Sequence, residues 1–307
     1  MQIITSLDNI KLKIPSAVAI GKFDGIHLGH RQLLGKIIAK KQEGMKAVVF
    51  TFNPSPAVLF SGVKEKELTS VEEKRRIFEN LGIDILVEFP LTYETAATPK
   101  ELFVSEILVE KLNAKYIAAG TDLSFGKKGE GNSEFLVQKG KELDFCVDII
   151  DKIAYKGEII SSTLVRKAIS EGDVKKAHFM LGSPYFVQGI VVKGNQLGRT
   201  IGFPTVNVTA QEDKLLPPNG VYKTEVTLGE RVYEAITNVG CKPTVTDSKQ
   251  IFIESYLYQF SENIYGEEIK VHFLEFMRKE QKFNTIEELK IQLQKDMQLG
   301  QKIQVEV

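Results

Sequence analysis

"AVAIGKFDGIHLGHRQLLGKIIAKK", residues 17–41, decides how the first half of this chain folds. Its opening run, 17–21, is short and apolar, as a strand buried on both faces is. From Leu28 onward, Leu33, Leu34, Ile37 and Ile38 return at helical spacing, which predicts a helix over 28–43. The turn between them, "FDGIHLGH" (23–30), holds two of the chain's 4 histidines. His27 and His30 are three residues apart at a helix start, so they share one face of its first turn. The free N–H groups and the dipole of that turn favour an anion. Two imidazole donors added there suit a phosphate whose charge grows in a transition state. The plainer readings are a solvated histidine pair or a metal site, the latter weakened by the lack of a third ligand close in sequence.

The same grammar continues outward. Strand-like runs at 46–52, 83–89, 115–120 and 144–150 alternate with helical patterns at 71–81, 99–112 and about 133–141. Strands alternating with helices predict a doubly wound α/β domain with a parallel sheet, whose ligands sit outside the carboxyl ends of the strands. From about 185 the rhythm changes to runs rich in β-branched and aromatic residues: "YFVQGIVVKG", "GVYKTEVTL", "RVYEAITNVG", "IFIESYLYQF" and "EEIKVHFLEF". With Gly, Pro and Asn turns between them and no helices, they predict a small antiparallel β-barrel. A terminal amphipathic helix follows over 284–303, capped by Asn284 or Thr285. The expected domains are 1–182 and 183–307, joined after a helical stretch at 163–181.

Bulk composition bounds the rest. A length of 307 residues favours two cores over one. With 40 basic and 40 acidic side chains the formal net charge is zero, which excludes a general attraction to nucleic acid or anionic membranes. No apolar run reaches membrane-spanning length, and the N-terminus lacks a signal-peptide pattern. Cys146 and Cys241 read as reduced and structural. A cytoplasmic location is expected, and nothing in the sequence bears on oligomeric state.

Three further stretches carry chemistry. "ISSTLVRKAI" (160–169) offers the hydroxyls of Ser161, Ser162 and Thr163 at a helix start, with Arg166 one turn on; alone it reads as an ordinary capped helix. "GNQLGRTIGFPTVNV" (194–208) is a loop punctuated by Gly194, Gly198 and Gly202 around Arg199, and glycines let backbone N–H groups approach phosphates. Thr205 and Asn207 then alternate onto one strand face, with oxygens suited to Mg²⁺. Glu254, in "IFIESYLYQF", stands among apolar and aromatic residues, where a charge is costly without a task or a partner.

The "GKFDGIHLGH" stretch resembles the HxGH signature of the nucleotidyltransferase superfamily, and "ISSTLVR" resembles its ISSTxxR motif. In that company "TFNPSP" (51–56) and "GTDLSFGKKGEGN" (120–132) resemble the N-terminal module of bacterial bifunctional riboflavin kinase/FMN adenylyltransferases. The 194–208 string is similar to the ATP–Mg²⁺ loop of flavokinases. "LLPPNGVY" (215–222) and "TNVGCKPT" (237–244) are similar to further segments of that domain. The resemblance implies two reactions: ATP-dependent phosphorylation of riboflavin to FMN, then adenylylation of FMN by a second ATP to give FAD and pyrophosphate. It implies that His27, His30 and Arg166 act on the adenylyl-transfer phosphates, with Gly21, Phe23, Asp24, Gly25, Gly29, Ser161, Ser162 and Thr163 around them. It gives Asn53, Asp122, Phe125 and Arg278 to the flavin, Gly194, Gly198, Arg199 and Gly202 to ATP, Thr205 and Asn207 to Mg²⁺, and Glu254 to the substrate hydroxyl. Leu123, Leu164 and Tyr256 depart from the usual family residues. A monofunctional enzyme or a non-catalytic flavin-binding regulator is the competing expectation.

Overall fold

The computed structural model describes residues 1–8, 10–62, 65–194, 197–242 and 250–303. Its contacts divide the chain into two compact units, Met1–Ser162 and Thr163–Val307.

Six strands form the sheet of the first unit: β1 (Gln2–Ile4), β2 (Ser16–Ile20), β3 (Lys46–Asn53), β4 (Ile85–Pro90), β5 (Ala114–Gly120) and β6 (Cys146–Ile150). They lie in the order β1-β4-β3-β2-β5-β6, and every pairing is parallel. The order runs outward in both directions from the β2–β5 pair, so the topological switch point lies at the carboxyl end of β2. All five residues of β2 are buried, and they alternate between two cores. Ala17 and Ala19 face the layer that contains Leu33, Leu34, Ile37 and Phe78. Val18 and Ile20 face the layer that contains Phe50, Phe103, Leu108 and Leu136. The small alanines let the first layer approach closely, while β-branched residues fill the second.

The helices of this unit are α1 (Leu28–Ala39), α2 (Pro56–Ser61), α3 (Val71–Asn80), α4 (Lys100–Leu102, continuing over Phe103–Lys111 in a wider π-type winding) and α5 (Ser133–Leu143). A capping box starts α3: the Ser70 hydroxyl accepts the Glu73 N–H, and the Glu73 carboxylate accepts the Ser70 N–H. The edge strand β1 and the short α2 were not legible, because three apolar residues and six residues behind a proline are too brief for a periodic signal. A two-stranded hairpin, β7 (Ala154–Tyr155) with β8 (Glu158–Ile159), precedes the second unit.

Expected as one helical stretch, 163–181 is broken into α6 (Ser162–Glu171) and α7 (Val174–Leu181). Gly172 takes a left-handed conformation at φ 82°, and the Asp173 carboxylate caps α7 by accepting the Lys176 N–H. The helix α7 packs on two barrel strands, so the contact division falls at Ser162/Thr163.

Strands β9 (Tyr185–Val192), β10 (Val206–Thr209), β11 (Gly220–Leu228), β12 (Arg231–Lys242), β13 (Gln250–Leu257) and β14 (Glu268–Arg278) close an antiparallel barrel in the order β10-β13-β12-β11-β14-β9. A short helix, α8 (Leu197–Thr200), lies in the β9–β10 connection, and α9 (Ile286–Lys302) ends the unit, capped by the Thr285 hydroxyl. Period-two alternation sorts the strands into two faces. Ala235, Thr237 and Val239 of β12 and Ile253, Ser255 and Leu257 of β13 point into the barrel and are buried. Ile236, Asn238, Glu254 and Tyr256 point outward toward α9. Inside, the Thr237 hydroxyl lies 2.7 Å from that of Thr224 and 2.8 Å from that of Ser255. Cys146 is a free, exposed thiol rather than a core residue, and it sits on the edge strand β6.

The hydroxyl chain inside the barrel makes a stability prediction. Replacing Thr237 by Val keeps the shape but leaves the buried Thr224 and Ser255 hydroxyls each one partner short. The cost is about 1–3 kcal/mol, read as a lowered melting temperature of the second unit. An unchanged melting curve would show that these hydroxyls are satisfied without Thr237.

Candidate active sites

The first site is built at the carboxyl end of β2. The turn that follows is strained, with Phe23 at φ 52° and Ile26 at φ 44°, and burial of both side chains holds it in place. The Phe23 ring packs edge-to-face on Phe78 at 5.7 Å and against the His30 ring at 5.0 Å. Asp24 is fully buried, and its Oδ1 accepts the N–H groups of Leu68 (2.9 Å) and Thr69 (3.3 Å). The Thr69 hydroxyl in turn accepts the Gly25 N–H. The side chains of Phe23 and Asp24, residues expected beside the phosphate, thus build the framework of the turn. A carboxylate would in any case repel a polyphosphate.

His27 is the N-cap of α1, and its Nδ1 accepts the His30 N–H at 3.4 Å. That bond leaves the ring hydrogen of neutral His27 on Nε2, a donor turned away from the helix. The two imidazoles stack at 3.8 Å, inclined by 18°. A side chain at Gly29 would press on the His27 ring. His27, His30, Gly21, Gly29, Asp122, Ser161 and Ser162 share one cavity of about 380 Å³ with Lys22, Phe52 and Lys152. The Ser162 hydroxyl donates to the Asp24 carbonyl at 2.8 Å, tying the start of α6 to the histidine turn. Thr163 and Arg166 follow Ser162 on α6, in the second unit.

Burial sets the charge state here. Desolvation pulls the His27 imidazole down from 6.5 to about 4, although Asp122 and Asp24 oppose it. His30 is pushed well below its ordinary value by burial, then by His27 and Lys74. Both rings are neutral donors at neutral pH. The Nδ1 of His30 is buried and has no hydrogen-bond partner among the described residues.

The residues expected at the flavin divide. Asp122 lines the cavity and pairs with Lys152 at 3.0 Å. Asn53 is exposed at the end of β3, one residue past the lining Phe52. Phe125 is 3% exposed and packs on Phe103 and Phe135, so it is a core residue whose ring also covers Gly131. Two aromatic residues escaped the sequence reading. Phe60 of α2 and Tyr93 after β4 are 62% and 70% exposed and meet edge-to-face at 6.2 Å. In sequence they look like ordinary loop residues, and only the fold brings their rings together at the surface.

The second site lies on the outer face of the barrel, beneath α9. Asn207 of β10 and Asn238 of β12 flank Glu254 of β13 in register, which puts all three on one face. The Thr205 hydroxyl donates to Glu254 Oε1 at 2.5 Å. Thr205, Asn238 and Glu254 form the polar floor of a cavity of about 200 Å³, walled by Ile201, Phe203, Ile236, Tyr256, Phe283, Leu289, Leu293 and Met297. Arg278 also lines it, but its guanidinium is held bidentate by the buried Asp296 of α9 at 2.9 and 2.6 Å. Its charge is therefore spent within the wall.

A neighbouring cavity of about 320 Å³ shares Thr205 and is lined by Gly194, Asn207, Phe260, Glu262 and Tyr265. A Cβ at Gly194 would overlap the Asn207 amide, so only glycine lets the loop pass. Gly198 accepts the Phe203 N–H at 2.8 Å through its carbonyl, and Gly202 sits at φ 89°, closing the loop that presents Thr205. Arg199 lies in α8; its side chain, Asn195, Gln196 and the end of "TNVGCKPT" fall outside the described residues. Hydroxyl and amide oxygens beside a phosphate-sized cavity suit a hard cation that shares its ligands with a nucleotide. Among the described residues no group of three or more His, Cys, Asp or Glu is placed to hold a metal by itself.

A parallel sheet with a histidine pair at its switch point, and a barrel with a carboxylate beneath an apolar wall, define a two-site transferase of phosphorus-containing groups. The FAD synthetase family profile matches residues 9–164, and the riboflavin kinase profile matches residues 181–304. A bifunctional riboflavin kinase/FMN adenylyltransferase from Listeria monocytogenes is 39% identical over 93% of this chain and 91% of its own length. The protein of the same description from Bacillus subtilis is 36% identical over 92% and 90%. A crystal structure of a macrolide-efflux protein from Streptococcus pneumoniae, 31% identical, covers 98% of this chain and 99% of its own with a TM-score of 0.88. No helix among the described residues is long and apolar enough to cross a membrane. The chain belongs to the bifunctional riboflavin kinase/FMN adenylyltransferase family.

The histidine chemistry is testable by titration. The His27 imidazole in the folded protein should titrate near 4, followed by NMR of its ring protons. Because the folded value lies below 6.5, the unfolded chain takes up the proton first. Stability is therefore complete above that pH and falls as the pH drops toward 4. Inorganic pyrophosphate, by favouring the charged ring, should raise the midpoint. A midpoint near 6.5 without ligand would refute the burial account.

Proposed function

We propose that the barrel unit phosphorylates riboflavin with ATP and that the α/β unit adenylylates the resulting FMN, giving FAD and pyrophosphate. The observation that carries this reading is the double provision: each unit has its own cavity and its own polar groups suited to a phosphate. A binder or a single-reaction enzyme has no use for the second set. We place the functional division at 1–182 and 183–307, and the activity in the cytoplasm, where both products are consumed as cofactors.

In the kinase step the apolar wall from Ile201 to Met297 takes the flat flavin ring, and the side chain runs toward the polar floor. Glu254 Oε1 is engaged by the Thr205 hydroxyl. The other carboxylate oxygen takes the proton of the terminal hydroxyl as that oxygen attacks the γ-phosphate of ATP. The Thr205 hydroxyl and the Asn207 amide oxygen would hold Mg²⁺, which when bound neutralises charge on the phosphates. Gly194, Gly198 and Gly202 let the loop carrying Arg199 close over the nucleotide, and the Arg278–Asp296 pair fixes α9 as the lid of the flavin slot.

In the adenylyl transfer the FMN phosphate oxygen attacks the α-phosphate of a second ATP, and pyrophosphate leaves. No protein nucleophile takes part. His27 Nε2–H and His30 donate to the phosphates as charge moves onto the departing group, with Ser161 and Ser162 supporting them. Gly21, Gly25 and Gly29 keep the turn narrow enough for that approach. Asp122 and Asn53 serve the flavin nucleotide, and the exposed Phe60–Tyr93 pair offers its ring a face to stack on.

Substitution separates the two sites. His30→Ala should lower FAD formation by about 10²–10³-fold while FMN formation stays within twofold. Glu254→Gln should do the reverse, with FAD still made from supplied FMN. Chromatography of products from riboflavin, ATP and Mg²⁺ reads both, and loss of both reactions in either folded variant would overturn the two-site assignment.

A further inference from the structure

The floor of the barrel cavity contains an acceptor that the kinase mechanism leaves unused. Asn238 stands directly across from Glu254 in the β12–β13 register, on the outward face that lines the cavity. Its Nδ2 donates to Glu280 Oε1 at 3.4 Å, and Glu280 Oε2 accepts from Asn219 Nδ2 at 3.1 Å. That contact fixes the orientation of the amide, since an oxygen turned toward the Glu280 carboxylate would be repelled. The other end, Asn238 Oδ1, is buried and has no hydrogen-bond partner among the described residues.

A buried amide oxygen without a donor is costly, and proteins keep one where a ligand will supply the donor. The donors among the lining residues do not reach it: the Arg278 guanidinium is held by Asp296, and neither the Tyr256 hydroxyl nor the Gln281 amide bonds to Asn238 Oδ1. The missing partner is thus an O–H or N–H group of the bound molecule. Side chains directly opposite each other in an antiparallel pair have Cβ atoms about 4.5–5.5 Å apart. Two acceptors that close together match two neighbouring hydroxyls of one chain: one loses its proton to Glu254, and the next donates to Asn238.

We infer that Asn238 is the residue that selects a polyol side chain on the phosphoryl acceptor, by accepting a hydrogen bond from a secondary hydroxyl beside the one that is phosphorylated. The inference rests on the riboflavin kinase reading above and deepens it. Asn238 thereby distinguishes a ribityl chain from an alkyl chain with a terminal hydroxyl alone, and it sets the register of the chain so that the reacting oxygen meets Glu254.

The test compares riboflavin with a flavin whose five-carbon side chain bears only the terminal hydroxyl, using the full-length protein with ATP and Mg²⁺. The wild type should favour riboflavin in kcat/KM by about tenfold to a hundredfold. Asn238→Ala should lose that preference by falling on riboflavin and not on the deoxygenated flavin. FMN adenylylation is the internal control for folding. Equal kcat/KM for the two flavins in the wild type overturns the inference without any variant. An equal loss on both flavins in Asn238→Ala does so too, because it marks Asn238 as a structural partner of Glu280. A wild type that phosphorylates neither flavin overturns the riboflavin kinase reading itself, and the inference with it.

Discussion

One buried carboxylate organises the first unit. Asp24 has no exposure to water; its carboxylate ties the turn after β2 to the 68–69 segment that leads into α3, and its main-chain carbonyl accepts the Ser162 hydroxyl at the start of α6. A charge so deeply buried is tolerable because backbone N–H donors surround it. The turn it anchors has two non-glycine residues in the left-handed region, a conformation that local preferences oppose. Tertiary contacts therefore impose the geometry, and the histidines receive their positions from a buried framework. Catalytic groups that must act by placement need such a rigid support.

The barrel solves the same problem differently. Its interior is closed by apolar side chains and a hydroxyl chain, so no ligand enters it. The cavity lies on the outer face instead, where every second residue of β12 and β13 is free to be polar. That face would be ordinary solvent-exposed barrel surface without α9, which covers it and turns a wall into a cavity. The Arg278–Asp296 pair holds that cover, together with the Gln292 amide that donates to Asp296 at 2.8 Å. A bidentate ion pair tying strand to helix orients the lid more sharply than apolar contacts could.

Much of this was legible in the sequence, for identifiable reasons. Long periodic segments such as 28–39 and 286–302 announced their type, and the switch from helical to alternating rhythm near 185 announced the barrel. Short motifs gather residues around both cavities, but they do not say how each side chain is oriented. Phe23, Asp24 and Phe125 lie within or beside motif residues and look functional in a string, whereas in space they face inward. Spacing assigns a residue to a neighbourhood, while only the packing of distant segments decides which way it points. The reverse failure has the same root. Phe60 and Tyr93 carry no local signature, because what marks them is exposure, and Asn238 lies in a singled-out stretch, "TNVGCKPT", whose string does not show the unfilled bond set by residues far off in the chain. The break at Gly172 could have been read, since glycine followed by aspartate is a stop and a start in adjacent positions.

The two sites also face opposite electrostatic demands, and their burial follows from this. In the proposed adenylyl transfer negative charge moves onto a departing pyrophosphate, and a neutral imidazole that donates through Nε2 would meet that charge as it grows. A ring already protonated in the free protein would hold the substrate polyphosphate as tightly as the transition state, which adds nothing to the rate. Desolvation keeps His27 and His30 neutral in the free protein, as the proposed step requires. The proposed proton removal from a hydroxyl calls for a base, and the barrel has a carboxylate there, Glu254, with one oxygen oriented by the Thr205 hydroxyl. The same physical rule, that a buried polar group stays in the form its neighbours can satisfy, gives a neutral donor in one unit and a positioned acceptor in the other.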